Sequence, residues 1–301
     1  MTAIRVGISP PLEGWAADLG RREWAAAVAD AGLDHVFVAD HVSFRDGSGM
    51  DGLVRAASLL SLHGGLGVFV GVYLLALRHP VLVARQLATI AEDAPGRLTL
   101  GVGIGGEDRH EFEVVEVDPA TRGRRTDEAL DLLLRLLTGE AVEHHGEHFS
   151  VRGARIVPAP DPPVPIVIGG RSDAALRRAG RFGDGWLAAW CTPERFVEAV
   201  GMVEAEGAGR GVAWQHGYQN WVGIGGRGPL AAAMEDFYHV PFERFERYTP
   251  HGSVDEIAGY LRPFAAAGCR TFNLTPIGGT QPERIESVAA IRDSLRSTAI
   301  L

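Results

Sequence analysis

Between Arg78 and Gly106 the chain reads RHPVLVARQLATIAEDAPGRLTLGVGIGG, and this stretch limits the possible folds more than any other. Val81, Leu82, Ala84, Leu87, Ala88, Ile90 and Ala91 recur at three- and four-residue spacing. That spacing predicts an amphipathic helix of about four turns with one apolar face. Pro80 suits the first turn, where its missing N–H is not needed. Leu98 to Gly103 then reads as a short buried strand that opens into Gly103, Gly105 and Gly106. A backbone without Cβ atoms at that point lets a flat ligand approach closely. A helix that feeds a strand with a glycine-lined end is half of a βα repeat with a functional mouth.

The same alternation runs through the whole chain. Strands are predicted at Ile4–Ser9, His35–Ala39, Leu66–Leu75, Leu98–Gly103, Pro165–Ile168, Gly185–Ala189, within Val212–Ile224, and at Thr271–Thr275. Helices are predicted between and after them, from Trp15–Ala31 through Ala120–Leu137 and Asp173–Phe182 to Pro282–Arg296. Eight strand–helix pairs without a composition break imply a parallel sheet closed into a (β/α)8 barrel, with an open doubly wound sheet as the alternative. The length of 301 residues suits one such barrel, which runs to about 250 residues plus insertions, while two smaller domains are the rival division. Two insertions stand out. The segment 142–156, around HHGEHFSVRG, alternates about a central glycine and predicts a β-hairpin. The segment around 225–250 carries Phe237, Tyr238, Phe242, Phe245 and Tyr248, either as a pocket cover or as core packing.

Composition removes several function classes. A net charge of −9 disfavours nucleic acid, whose phosphates favour basic surfaces. All 29 basic residues are arginine, so Schiff-base chemistry and a P-loop lysine are excluded; a GC-rich genome accounts for the missing AT-rich lysine codons. No apolar run approaches the roughly 20 residues needed to cross a bilayer, and a strand is expected near the N-terminus in place of a signal peptide. Cys191 and Cys269 are isolated, with no CxxC spacing, as expected in a reducing cytoplasm.

In a (β/α)8 barrel the residues just after each strand carry the chemistry. The second strand ends in Asp40–His41, a pair that can bind a ligand or move a proton near neutral pH, and equally a pair that can make a loop salt bridge or cap. The third strand has Gly71 inside a β-branched run, a mark of a bulge or a close backbone approach. The fourth gives Gly103, Gly105 and Gly106, then Glu107, Asp108 and Glu111; no helix follows at once, so this is not a dinucleotide fingerprint. The fifth gives Gly169, Gly170, Arg171 and Ser172 at a helix start, a phosphate site on physical grounds or a plain serine-capped turn. His144, His145, Glu147 and His148 fall on both faces of the hairpin, short of the three converging ligands of a catalytic zinc site, so no metal is expected.

Taken in order, these residues resemble the bacterial luciferase-like monooxygenase superfamily, in its coenzyme F420-dependent branch. The resemblance rests on VADH (Val38–His41), LRHPVLVARQLATIAEDAPGRLTLGVGIGG (Leu77–Gly106), EFE (Glu111–Glu113) and TRGRRTDEAL (Thr121–Leu130). It continues through HGEHFSV from His145 and VPAPDPPVPIVIGGRSDAALRRAGRFGDGW (Val157–Trp186), and so covers nearly the whole chain. It implies a TIM barrel, usually a homodimer, that uses the deazaflavin coenzyme F420 or, alternatively, FMN. In the deazaflavin branch the pair matching Asp40 and His41 lies beside the ring. A bulged third strand with a non-prolyl cis peptide, matching Gly71–Val72, backs the ring. The loops matching Gly103, Gly105, Gly106, Gly169, Gly170, Arg171 and Ser172 hold the ring edge and the phosphate. Sugar-phosphate dehydrogenases of this branch place a catalytic glutamate after the fourth strand; here Gly106 stands at that point and Glu107 follows, a departure that argues against a sugar-phosphate substrate.

The sequence is therefore read as one luciferase-like domain over residues 1–301, cytoplasmic and homodimeric, with a small-molecule substrate and neither membrane nor nucleic acid as partner. The expected activity is hydride transfer between F420 and an unidentified organic substrate. His41, Asp40 and Glu107 are its candidate catalytic residues, and Arg109 and the 237–248 segment shape the mouth. A reduced-FMN monooxygenase and a flavin-binding barrel without turnover are the alternatives.

Overall fold

A computed structural model describes residues 3–12, 14–15 and 18–298. The chain starts with β1 (Arg5–Ile8), α1 (Arg21–Asp30) and β2 (His35–Val38), then makes a short antiparallel hairpin, β3 (His41–Phe44) and β4 (Ser48–Met50). Next come α2 (Gly52–Leu60), β5 (Gly67–Leu74), α3 (Pro80–Asp93) and β6 (Leu98–Gly103). After the single-turn α4 (His110–Glu113), α5 (Arg122–Leu136) leads into a second hairpin, β7 (Val142–His145) and β8 (Ser150–Ala154). Then follow β9 (Ile166–Gly169), α6 (Asp173–Phe182), β10 (Gly185–Ala189), α7 (Pro193–Glu206), β11 (Gly217–Ile224) and α8 (Arg227–Tyr238). The last elements are β12 (His251–Gly252), α9 (Val254–Ala266), β13 (Thr271–Ile277) and α10 (Gln281–Thr298).

Eight strands pair in the order β10-β9-β6-β5-β2-β1-β13-β11, and β11 pairs again with β10. The ladders run parallel. This is the (β/α)8 barrel that the alternation predicts. The chain divides into two compact units, Met1–Phe37 with Gly185–Leu301, and Val38–Asp184. The hairpin expected at 142–156 is β7–β8, whereas the one at His41–Met50 has no sequence counterpart above. In the 225–250 insertion, α8 and two short 3-10 turns bury Phe242, Leu230 and Met234 completely.

Two differences from the sequence reading have local causes. The first helix begins at Arg21, not Trp15, because Glu23 reaches back to the Gly20 N–H and fixes the start there; Ala16 and Ala17 lie outside the described residues. On α3, Leu82 belongs to the predicted apolar face but is 64 % exposed, and Val83 is buried in its stead. One residue is about 100° of helix rotation, so a face assigned from spacing alone is uncertain at its edge.

A buried polar pair marks the other unit. Gly7 of β1 lies level with His35 on β2 and with Asn273 on β13. A Cβ at Gly7 would strike the His35 imidazole, so glycine leaves the ring room to reach Asn273 Oδ1 from Nε2 at 2.7 Å. Burial, reinforced by the charge of Arg5, pushes His35 down to about 4. In the unfolded chain the ring titrates near its ordinary 6.5. The unfolded state therefore takes up the proton first, and the contribution is complete above 6.5 and lost as pH falls from there towards 4. The total loss is about 3 kcal/mol. Urea unfolding at pH 7 and pH 4 should show a destabilisation that His35→Gln reduces by about this amount; equal losses in both proteins would refute the assignment.

Candidate active site

The centre of the site is a break in strand pairing. β5 and β6 are level at Val70 with Leu100 and again at Tyr73 with Val102, so β5 holds one extra residue between those points. The extra residue falls at Gly71–Val72, a non-prolyl cis peptide as the family resemblance implies. The bulge turns the Val72 side chain against β6 and against β9, the strand beyond it. A Cβ at Gly169 of β9 would lie 2.8 Å from Val72 Cγ1, and one at Gly103 of β6 would lie closer still to Cγ2. These two glycines, singled out as ligand-binding positions, thus make room for Val72. Gly105 and Gly106 differ: both have left-handed φ, +65° and +112°, which glycine adopts without penalty, and they turn the chain after β6 beside Phe112 and Arg122.

Asp40, at the end of β2, is 1 % exposed and accepts four hydrogen bonds. Gly52 N, at the start of α2, donates to Oδ1, and Leu74 N, at the end of β5, donates to Oδ2, both at 2.9 Å. Arg78 adds Nη1 to Oδ2 at 2.6 Å and Nη2 to Oδ1 at 2.8 Å, a bidentate pair of the strong, directional kind. Its guanidinium also lies 4.5 Å above the Tyr73 ring. Burial pushes the Asp40 carboxyl up, against the pull of Arg78 and the two amides. Burial lowers Arg78, but Asp40, Tyr73 and Asp51 together outweigh it and the net shift is upward. With both oxygens engaged, Asp40 holds strand ends in place.

His41 next to it faces a different partner. Its Nδ1 lies 3.1 Å from Glu111 Oε2, and the amide of Val42 donates to Glu111 Oε1 at 2.8 Å. Glu111 is 2 % exposed, while the His41 side chain keeps 21 % of its surface open. A carboxylate only accepts, so Nδ1 carries the proton, and in the neutral form of the ring Nε2 is the acceptor. The imidazole also packs on Phe44, centroids 4.3 Å apart. Asp108 fixes the far end of the same hairpin by accepting from Arg45 N at 2.6 Å; that amide and the His110 amide hold its carboxyl below the usual range. A cavity of about 290 Å³ is lined by His41, Val42, Gly47, Gly49, Met50, Asp51 and Arg78.

The remaining sequence candidates have other surroundings. Glu107 is exposed, and Arg109 forms an exposed ion pair with Glu113 at 3.1 Å. Gly170, Arg171 and Ser172 lie exposed at the start of α6, where Ser172 Oγ caps the helix by accepting from Ala175 N at 3.3 Å. Asp173, in the first turn, already places one negative charge at that helix end. Glu111 and Arg78 are residues of this candidate site that sequence reading did not rank. Glu111 stood among the acids after the fourth strand, and the EFE motif was its only signal. Its 70-residue reach to His41 depends on a hairpin that the sequence did not reveal.

The model of the family described as luciferase-like monooxygenase matches residues 20–217. The chain belongs to that family. Among curated relatives, an F420-dependent glucose-6-phosphate dehydrogenase of Beutenbergia cavernae is 37 % identical over 195 residues, 60 % of this chain and 55 % of the relative. The chain thus spans about half the length of the curated relatives it matches. Among solved structures, an F420-dependent secondary alcohol dehydrogenase with an F420-acetone adduct superposes with TM-score 0.81 at 18 % identity, over 98 % of this chain and 99 % of that one. A riboflavin lyase with modified FMN and riboflavin superposes with TM-score 0.71 at 17 % identity, over 99 % and 91 %. These likenesses establish the luciferase-like (β/α)8 fold.

The Val72 seat yields a stability test. Gly103→Ala forces a methyl into a contact bounded by two paired strands, an overpacking that costs about 1–3 kcal/mol. Gly201→Ala, in an exposed turn of α7 with nothing within 4 Å, should instead be neutral or stabilising by about 0.5–1 kcal/mol. Urea midpoints that rank the two variants the other way would refute the packing role of Gly103.

Proposed function

We propose that this protein is an F420-dependent oxidoreductase that transfers a hydride between the coenzyme and a small organic substrate. The observation that carries the reading is His41, whose Nδ1 is held by buried Glu111 so that a fixed imidazole offers Nε2 to a reacting oxygen. Relatives named as F420-dependent dehydrogenases support the choice of coenzyme. The residues present fit a flat ring carrying a phosphate. The Gly105–Gly106 turn keeps side chains off the end of β6, and α6 begins with exposed Gly170, Arg171 and Ser172.

In this reading the bulge at Gly71–Val72 and the glycine turn bear on the ring, while Arg171 and the start of α6 hold the phosphate. Bound F420 supplies hydride transfer at its ring carbon. His41 accepts or returns the proton of the substrate oxygen through Nε2, and Glu111 keeps the imidazole in the required tautomer and stabilises its protonated form. Asp40 and Arg78 set the positions of His41 and of the bulged strand without exchanging protons. Glu107, exposed and one residue beyond the expected place, has a lesser claim than Glu111 to the catalytic carboxylate. A single-domain homodimer in the cytoplasm belongs to the same reading.

Equilibrium titration tests the coenzyme: F420 should bind at least tenfold more tightly than FMN, about 1.4 kcal/mol, and equal or reversed affinities would replace this reading with the FMN one. Arg171→Ala should weaken F420 binding by about 1–3 kcal/mol. His41→Ala should lower turnover by roughly 100-fold or more with little change in coenzyme affinity. Wild-type turnover in His41→Ala, or unchanged affinity in Arg171→Ala, removes the corresponding role.

A further inference from the structure

Trp190 follows β10 directly, at the strand end where this fold class places its chemistry. Its φ is +47°, in the left-handed region that a bulky side chain rarely enters. Backbone of this kind persists where the surroundings impose it, and such positions gather at functional sites. Here the backbone aims the indole at the 225–250 insertion. Its ring centroid lies 5.2 Å from Tyr238, edge to face, and 5.1 Å from Phe245, while Tyr238 and Phe245 are themselves 5.1 Å apart.

The packing around these rings is two-layered. Leu230, Met234 and Phe242 form a fully buried floor, and Phe237, Tyr238 and Phe245 pack on it while only partly covered. Trp190 is likewise partly exposed. The floor is fully buried, whereas Phe237, Tyr238 and Phe245 stay partly exposed above it. One nearby cation is committed: Arg227 binds Glu246 at 2.6 Å and Glu243 at 3.3 Å and covers the Phe242 ring. The shelf therefore offers flat apolar surface beside a neutralised charge, a setting that favours an uncharged ring and disfavours a phosphate.

We infer that Trp190, Tyr238 and Phe245 form a binding shelf for an uncharged, planar aromatic or cyclic organic ligand without phosphate. The shelf is tested separately from the oxidoreductase reading. Calorimetric titration of the full chain uses 2-naphthol as probe and glucose 6-phosphate as charged comparison, with F420 titrated in parallel. Wild-type protein should bind 2-naphthol and not glucose 6-phosphate. Trp190→Gly, which suits the left-handed backbone and removes only the ring, should weaken 2-naphthol binding at least tenfold. Phe245→Leu keeps apolar bulk without an aromatic face and should weaken it severalfold, which guards against a folding defect in the first variant. Both variants should bind F420 as wild type does. Absence of 2-naphthol binding, binding unchanged in folded variants, or a preference for glucose 6-phosphate overturns the shelf whatever F420 does. Failure of F420 to bind while 2-naphthol binding still depends on Trp190 overturns the oxidoreductase reading and keeps the shelf.

Discussion

One buried carboxylate organises the candidate site. Asp40 ties the end of β2 to the start of α2 through Gly52, to the end of β5 through Leu74, and to Arg78 through two further bonds. A charge at 1 % exposure is tolerable only when its desolvation is offset by well-aligned donors, and here two are charged and two are backbone amides. Removing any one partner would leave a buried charge short of partners, so the three elements keep a common geometry. Since His41 is the next residue, its backbone inherits that geometry.

The bulged strand depends on a second constraint, one of space. Strands in a parallel ladder lie about 4.8 Å apart, and a side chain turned sideways into a neighbouring strand has no room unless that neighbour lacks a Cβ. Gly103 supplies that absence on β6 for Val72, and Gly169 does so on β9, the strand beyond it. Gly105 and Gly106 make the turn that follows β6.

Acidic residues after β6 divide by the same logic. Glu107 points to solvent, Asp108 takes the Arg45 amide, and Glu111 takes both His41 and the Val42 amide. Three carboxylates within five positions thus have three different fates. What separates them is the direction of the single turn of α4, which buries Glu111 and Phe112 together.

The sequence alone determined the order of strands and helices, the barrel class, the β7–β8 hairpin, and the strand ends from which a site would be built. Those follow from hydrophobic periodicity and glycine punctuation, which are local along the chain. Tertiary structure alone decided that Asp40 is a buried clamp, that Glu111 and not Glu107 partners His41, and that Leu82 faces outward. Each of these depends on which groups lose water together and which donors then lie within hydrogen-bond reach. The His41–Glu111 and Asp40–Arg78 pairs join residues 70 and 38 positions apart. Residue spacing carries no record of such meetings, because they are set by strand register, by one bulge, and by a hairpin whose Asp46–Gly47 turn joins strands too short to show an alternating pattern.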